Sequence, residues 1–252
     1  MVVKAPLAWR VPAIQLAFIA CVFVALSLSS RLLPILPSAS DVILAGVKLL
    51  GWREAYRHFG ITAGEALAGF VIGTVLGIAV GAAVGASRTA TEVLNPIILA
   101  IYAVPKIIFL PLLMMIFGVG FAPKVANAAM HAFFPIMLNS LVGMREVDRI
   151  HIKVAQSMSA SRLHIARKVF LPAMVLPVFA GVRLGLGLAF MGALLAELFE
   201  SKAGVGYMVI QSYTAGEIAG MLAIIAVVFA LILAMNAGMQ RVENWLSRWR
   251  RA

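Results

Sequence analysis

Six long, nearly charge-free stretches are the feature that most limits how this chain can fold. A helix needs about 20 apolar residues to cross the hydrocarbon core of a bilayer. In lipid, backbone polar groups must bond within their own segment, so such stretches predict membrane-spanning helices. Lys106 and Arg183 are the charges inside them. We predict spans at residues 11–30, 66–87, 93–118, 125–144, 173–196 and 218–240.

Composition agrees with a membrane protein of the all-α class. Hydrophobic residues make up 63% of the 252 residues, charged residues make up 12%, and the mean hydropathy is +1.02. Soluble domains average about 45–50% apolar and about 25% charged residues. The ten-residue alternation of a transmembrane barrel is not seen in the sequence. We expect one transmembrane domain over residues 1–252, with the first stretch retained as a span rather than cleaved as a signal peptide.

The net charge of +11 indicates binding to anionic lipid headgroups rather than to nucleic acid, because the predicted spans leave no room for a separate soluble basic domain. Cytoplasmic loops are rich in Lys and Arg. With both termini in the cytoplasm, 13 basic residues lie inside and 6 outside, so we predict this orientation. The outer loop at 31–63 is long enough for a short interfacial helix, for which Trp52 and Tyr56 are suited.

The segment 145–172 differs from both a span and a tight turn. It lies on the predicted cytoplasmic side, and its middle mixes apolar and polar residues. Val154, Met158 and Ile165 are expected near one helical face. A structureless connection of this length would be unusual, so we predict helices and a function here.

Within that segment, KVAQSMSASRLHIARKVFLP (residues 153–172) resembles the EAA loop of permease subunits in type I ATP-binding-cassette (ABC) importers. The family pattern has Glu-Ala-Ala, three residues, Gly, nine residues, Ile, one residue and Leu-Pro. Lys153 stands at the Glu position, Ser159 at the Gly position and Val169 at the Ile position. Further positions are typical of the nitrate/sulfonate/taurine branch: Ala155, Ser161, Arg162, Ile165, Leu171 and Pro172.

Other parts of the chain resemble the same branch over roughly residues 63–245. The stretches 133–140 and 105–118 are similar to its fourth and third spans. The stretch 181–187, the run Ala-Glu-Leu-Phe at 196–199 and Gly-Val-Gly-Tyr at 204–207 are similar to its fifth span and the following loop.

The resemblance implies a six-helix permease of the bacterial inner membrane. Its partners would be a second permease copy as a homodimer, two cytoplasmic ABC ATPase subunits and a periplasmic substrate-binding protein. ATP and Mg would bind the ATPase, and this chain would hold no cofactor, metal or catalytic site. A coupling helix would dock on the ATPase through Lys153, Val154, Ala155, Met158, Ser159, Ala160, Ser161, Arg162, Leu163, Ile165, Leu171 and Pro172.

Within this coupling segment, Met158, Leu163 and Ile165 are the expected apolar knobs. Lys153 removes an acid that is favourable near a helix N-terminus by about 0.3–1 kcal/mol. We therefore hypothesise an acidic residue on the ATPase near Lys153, tested by transport in Lys153→Ala. A diverged, weakly active permease is the other interpretation of this substitution.

Ionisable residues inside spans are costly and are candidates for function. Lys106 and Arg183 are candidates for lining an anion path, although Arg183 could also reach the surface or pair with backbone carbonyls. Glu197 is a candidate for gating the periplasmic opening of the path. The alternative is a glutamate exposed to water at the membrane interface. Glu65 is expected at the interface. His131 is expected to be a hydrogen-bonded core residue, because no second His stands at metal-ligand spacing.

Two further patterns concern helix packing. Glycines recur at four-residue spacing in the second predicted span. Small residues let membrane helices approach closely, so this glycine ladder predicts packing inside the bundle rather than a substrate groove. Pro96, Pro105 and Pro111 each remove a backbone donor from the third span and can bend it. The ladder is Gly69, Gly73, Gly77, Gly81 and Gly85.

The branch resemblance implies a small anion such as a sulfonate, taurine or nitrate as the substrate. Similar relatives carry thiamine-precursor pyrimidines, riboflavin or aromatic acids, and these stay alternatives. An ion-coupled secondary transporter would need intramembrane acids and often inverted repeats. A membrane enzyme would need clustered polar groups. The sequence has no Walker A, nucleophile-elbow or zinc motif.

Overall fold

The computed structural model describes residues 27, 36–199 and 201–247. Within these ranges the chain forms helices and no strand, which confirms the all-α class. The predicted span at 11–30 lies outside the described residues, apart from Ser27. The division into six spans and the single domain over 1–252 stay predictions.

The helix that contains the second apolar stretch begins well before that stretch, and a shorter helix precedes it. Helix α1 (Ala39–Gly51) starts at a capping box in which Ser38 accepts from the N–H of Asp41, and Asp41 Oδ2 accepts from the N–H of Ser38 at 2.9 Å. Helix α2 (Arg53–Gly85) follows after Trp52. The predicted second span covers 66–87, but the helix that contains it starts at Arg53 and ends at Gly85. Charged side chains are expensive in lipid, yet Arg53 and Glu54 form a helix readily in water.

The predicted third span is broken. Helix α3 (Arg88–Ala103) is followed by a 3₁₀ turn (Lys106–Phe109) and helix α4 (Leu110–Phe117), with a bend of 81° between the two parts. Val104, at the break, has an extended backbone with ψ of 130°. A residue before proline is forced out of the helical region, and Pro105 has no N–H to continue the ladder. Pro105 therefore bends this segment, as the sequence predicts.

Three of the remaining helices are long, and the shorter ones lie in the coupling segment and at 205–214. Helix α5 (Phe121–Arg145) leads to α6 (Arg149–Ser157) and the one-turn α7 (Arg162–Ile165). A π-helical turn (Ala166–Phe170) joins α7 to α8 (Leu171–Phe199). Helices α9 (Val205–Thr214) and α10 (Ile218–Leu246) follow. Four helices of the described chain are long and apolar enough to cross a membrane, and the bent pair gives a fifth crossing if it counts as one span.

The described chain divides into two compact units. The first contains the described residues up to Tyr56 together with Met208–Phe229. In it, α1 approaches α10, because a Cβ on Gly46 would lie 4.0 Å from Ala223 Cβ, and the Tyr56 hydroxyl donates to the Leu50 carbonyl at 2.6 Å. The second unit contains Arg57–Tyr207 and the residues from Ala230 onward.

Helix α5 is the centre of the second unit. Of the most apolar 18 residues of α5, 56% are buried, against 22% for the same length of α2 and 17% for the helix that includes α8. Ala128, Ala132 and Ile136 of α5 are fully buried, and they pack with Ala66 of α2 and Ala189 of α8. The core is therefore built of small side chains, which allow the three backbones to come close.

The glycine ladder of α2 lies against α5, and this confirms the packing interpretation. A Cβ on Gly73 would sit 2.7 Å from the Ala129 carbonyl oxygen, closer than real Cβ contacts allow. Every glycine of the ladder meets α5 backbone in this way. The carbonyls concerned also recur every four residues: Val125, Ala129, Phe133, Met137 and Leu141.

Candidate functional site

The coupling segment begins with a capped helix. The Asp148 side chain accepts from the N–H of Ile150 at 2.9 Å, which places a carboxylate at the N-terminus of α6. Ile150, Val154 and Met158 follow one another at four-residue spacing and are 60%, 54% and 77% exposed. Together they form an exposed apolar stripe. Sequence reasoning missed Ile150, although its spacing from Val154 could have revealed it.

Helix α6 ends in a Schellman motif around Ser159. The N–H of Ser159 donates to the Gln156 carbonyl at 2.9 Å, and the N–H of Ala160 donates to the Ala155 carbonyl at 3.0 Å. Ser159 has φ of +57°, the left-handed conformation that this motif requires and that glycine adopts most easily. The Gly of the EAA pattern thus corresponds to a real backbone requirement, which this chain meets with serine.

A second turn returns the chain to the membrane helix. The Ser161 hydroxyl accepts from the N–H of His164 at 3.2 Å, at the start of α7, where Arg162 lies. Leu163 is 61% exposed, as expected of a docking knob, but Ile165 is 7% exposed. The expectation that Ile165 is an exposed knob is therefore wrong, because this side chain of α7 is buried.

The π-helical turn before α8 is explained by proline. The N–H of Leu171 donates to the carbonyl of Ala166, five residues back, rather than four. Pro172 has no N–H, so it cannot continue the ordinary ladder at this point. The Leu-Pro pair of the resemblance therefore marks a widened turn, and such turns are frequent at functional sites. Leu171 is 62% exposed beside it, and Lys153 is exposed on α6.

Lys106 lies at the break in the bent span. Its ammonium donates to the Tyr102 carbonyl at 2.5 Å and to the Val104 carbonyl at 3.4 Å, at the C-terminal end of α3. It also lies 4.2 Å from the centroid of the Tyr102 ring and 5.0 Å from that of Phe134. The carbonyl end of a helix and the faces of aromatic rings both attract a cation. This explains how a lysine is held within an apolar stretch.

Arg183 has an acidic partner, which the sequence did not indicate. Its guanidinium donates to Glu243 of α10 at 2.8 Å and also contacts the Gln240 side chain. Arg183 thus bonds to two side chains where the sequence suggests backbone carbonyls, and 30% of its side chain stays exposed. The pair joins α8 to the last part of α10 within the second unit.

Glu197 and Glu65 are both 1% exposed, so a solvated interface position is wrong for Glu197. The Glu197 carboxylate accepts from the Thr62 hydroxyl at 2.7 Å and from the N–H of Gly206 at 2.7 Å. Glu65 is paired with Lys124 at 2.9 Å, and Lys124 also donates to the Ser201 hydroxyl at 2.7 Å. A buried polar cluster therefore lies at the end of α8 farthest from the coupling segment.

His131 is a hydrogen-bonded core residue, as predicted. It is 7% exposed, and its Nδ1 lies 2.8 Å from the Asn127 carbonyl oxygen. The Asn127 amide in turn donates to the Gly192 carbonyl at 2.7 Å. Among the residues described, no three His, Cys, Asp or Glu side chains are grouped as metal ligands.

Comparison with known proteins connects these features. The sequence model of the family described as "Binding-protein-dependent transport system inner membrane component" matches residues 73–248. A Bacillus subtilis protein named as an aliphatic sulfonates transport permease is 31% identical over 217 residues, which are 86% of this chain and 78% of that protein. The taurine transport system permease of Escherichia coli is 32% identical, over 62% of this chain and 58% of its own length.

Two further similarities add to this. The riboflavin transport system permease of Chloroflexus aurantiacus is 37% identical, over 69% of this chain and 65% of its own. A solved chain of the MetNI methionine ABC transporter, in inward-facing conformations, matches with a TM-score of 0.68 at 18% identity, over 77% of this chain and 96% of that one. The latter establishes the type I ABC importer fold. The chain therefore belongs to the binding-protein-dependent transport system inner membrane components, as the permease subunit of an ABC importer that works with a separate ATPase and a substrate-binding partner.

Proposed function

We propose that this chain forms the translocation path for a small solute that carries a sulfonate group, such as taurine or another alkanesulfonate, with nitrate as a smaller oxyanion. The sulfonate and taurine permeases among its relatives support this substrate class. The single observation in the structure that carries it is the placement of Lys106 at the break of the bent span.

Lys106 suits an anion because its charge is not matched by an acid. Its contacts are two carbonyls and two aromatic rings, and within the described part of the chain it has no carboxylate partner. An ammonium within a span costs about 2.5–3.5 kcal/mol on insertion scales. A sulfonate or nitrate beside it would offset part of that cost during passage.

The other two candidate path residues have partners of their own. Glu243 compensates the charge of Arg183, and the carboxylate of Glu197 is bonded to Thr62 and Gly206. We therefore propose that Arg183 and Glu197 hold helices together, and that Lys106 is the residue of the three that meets substrate.

The coupling segment is proposed to dock on the ATPase through the stripe of Ile150, Val154 and Met158, with Leu163 beside it. Lys153, exposed next to the stripe, is proposed to meet an acidic residue of that subunit. ATP and Mg bind there and not on this chain. Two copies of this permease, two ATPase subunits and a periplasmic binding protein make up the complex. Both termini and the coupling segment face the cytoplasm.

The test is reconstitution of the complex in lipid nanodiscs. We expect the chain to co-purify with its ATPase in equal amounts, and the binding protein loaded with taurine to stimulate ATP hydrolysis. A chain that purifies without any ATPase and moves taurine with an ion gradient would overturn the importer proposal. Stimulation by a different ligand would overturn the substrate class alone.

A second candidate substrate is riboflavin, favoured by the 37% identity to the riboflavin permease. Riboflavin is uncharged and aromatic, so its passage would depend on the rings of Tyr102 and Phe134 rather than on the ammonium. Uptake that persists in Lys106→Met, with riboflavin as the stimulating ligand, would favour this candidate.

A further inference from the structure

The chain between α8 and α9 wraps around the carboxylate of Glu197. The N–H of Gly206 donates to one carboxylate oxygen at 2.7 Å, and the Thr62 hydroxyl donates to the other at 2.7 Å. Glu197 is 1% exposed and Thr62 is 3% exposed. A buried carboxyl group with two donors directed at it holds both of them, because leaving either donor unpaired inside the protein would cost about 1–3 kcal/mol.

Side chains of α2 satisfy the neighbouring backbone groups. The N–H of Val205 donates to the Thr62 hydroxyl oxygen at 2.8 Å, and the N–H of Gly204 donates to His58 Nδ1 at 3.0 Å. The His58 ring stacks on Tyr207 with 5.9 Å between ring centroids. The first N–H groups of a helix have no partner within it. Here three successive N–H groups at the start of α9 bond to side chains of α2 and α8.

Two glycines make this fit possible. Gly204 has φ of +112°, and a Cβ at this position would overlap the Glu197 carboxylate. A Cβ on Gly206 would lie 2.6 Å from both Glu197 Cβ and the Leu194 carbonyl oxygen. The Gly-Val-Gly turn is thus shaped to the glutamate that it surrounds. We call Glu197, Thr62, His58 and the turn 204–206 the α9 anchor.

The α9 anchor lies at the far end of the helix that starts at the coupling segment. Helix α8 begins at Leu171, directly after the π-helical turn, and Glu197 comes 26 residues later. At 1.5 Å per residue this is about 40 Å along one helix. A displacement imposed on the coupling segment therefore reaches the anchor through continuous helix.

We propose that Glu197 is a positioning residue that fastens the start of α9 to α8 and α2, so that motion at the coupling segment is delivered to α9. Gly204 and Gly206 would otherwise act as a hinge, because glycines absorb backbone rotation readily. The carboxylate removes that freedom. The proposal rests on the chain being an ABC importer permease and is independent of the substrate.

The test uses the complex of this chain with its ATPase in nanodiscs, without transport substrate. Hydrogen exchange by mass spectrometry follows peptides from the coupling segment (149–165) and from the anchor (203–208), with and without ATP and vanadate. The variant is Glu197→Gln, which keeps the size but leaves one acceptor oxygen for two donors, the Thr62 hydroxyl and the N–H of Gly206. Thr62→Val removes the hydroxyl at nearly constant volume. The matched control is Glu92→Gln, on the exposed Arg88–Glu92 pair.

We expect nucleotide to change exchange at both ends in the wild type and in Glu92→Gln. In Glu197→Gln and Thr62→Val, the coupling segment should respond as before. The anchor peptide should exchange about tenfold faster and no longer respond to nucleotide, consistent with the loss of one buried hydrogen bond. An anchor that responds normally in both variants would overturn the proposal, as would a wild-type anchor that ignores nucleotide. Loss of ATPase association in the wild type would instead refute the importer function itself.

Discussion

The N–H of Ala160 bonds to the carbonyl of Ala155 at 3.0 Å, across a serine held at φ of +57°. This bond closes α6 and turns the chain toward α7. A left-handed conformation costs a residue with a Cβ roughly 1–2 kcal/mol, which glycine avoids. The coupling segment therefore carries local strain at Ser159 in order to make its turn.

Replacement of Ser159 by glycine should stabilise the coupling segment. Part of the gain is lost because glycine makes the unfolded chain more flexible, so we expect about 0.5–1 kcal/mol. Slower hydrogen exchange in the peptide 149–160 would measure it. Ser157→Gly is the matched control, since Ser157 ends α6 in ordinary helical conformation, and it should accelerate exchange. Equal effects of the two changes would contradict this explanation.

Substitution of Lys106 by methionine should abolish most transport while the complex still assembles. Methionine keeps much of the length and packing against Tyr102 but removes the charge. If one charged contact with the anion is lost, uptake of taurine should fall about tenfold or more. Uptake into proteoliposomes is the measurement. Lys202→Met, at an exposed position, is the control, and equal losses in the two variants would remove Lys106 from the path.

The α2–α5 contact predicts opposite effects for two glycine-to-alanine changes on one helix. A Cβ on Gly77 would lie 2.9 Å from the Phe133 carbonyl oxygen, so Gly77→Ala should cost about 1–3 kcal/mol. A Cβ on Gly64 meets nothing within 4 Å, so Gly64→Ala should gain up to about 1 kcal/mol. Thermal unfolding of the purified protein in detergent compares them. A stabilised Gly77→Ala would show that the helices are not this close.

The Arg183–Glu243 pair should behave as a coupled unit. Its side chains are 30% and 26% exposed, so neutralising one partner leaves a half-buried charge unpaired. We expect each of Arg183→Gln and Glu243→Gln to cost about 1–2 kcal/mol, less than a fully buried pair because water still screens it. The double variant should cost less than the two singles added together.

The control for this comparison of single and double variants is the Arg88–Glu92 pair, whose side chains are 67% and 62% exposed. Exposed pairs contribute about 0–1 kcal/mol, so the same substitutions there should change the unfolding temperature little. Additive effects at Arg183 and Glu243 would mean that the two charges do not interact in the folded protein.

Much of the fold follows from the sequence because lipid excludes charge. The charge-free stretches locate the helices, and Pro105 locates the bend. The ends of the helices do not follow from the same reasoning, since α2 begins at Arg53 rather than at residue 66. A helix can continue through charged residues once it leaves the hydrocarbon core. Hydropathy locates only the apolar part of such a helix and not its ends.

The partners of the intramembrane charges could not be predicted. Thr62 lies 135 residues from Glu197 in the sequence, and Glu243 lies 60 residues from Arg183. The spacing of residues along one sequence does not show which distant helices become neighbours, so sequence reasoning treats each charge as if it stood alone. The expectation for Ile165 fails for a similar reason, because helical periodicity does not continue through the left-handed turn at Ser159.

The glycine ladder also determines what fixes the register between α2 and α5. Glycines recur every four residues on α2, and the carbonyls that they meet recur every four residues on α5. A slide by one helical turn would therefore set nearly every glycine over a carbonyl again, so the ladder alone permits several equivalent alignments. The ion pair between Glu65 and Lys124 is unique to one of them. The glycine contacts therefore bring the helices close without fixing their axial alignment, and the buried Glu65–Lys124 pair selects one alignment.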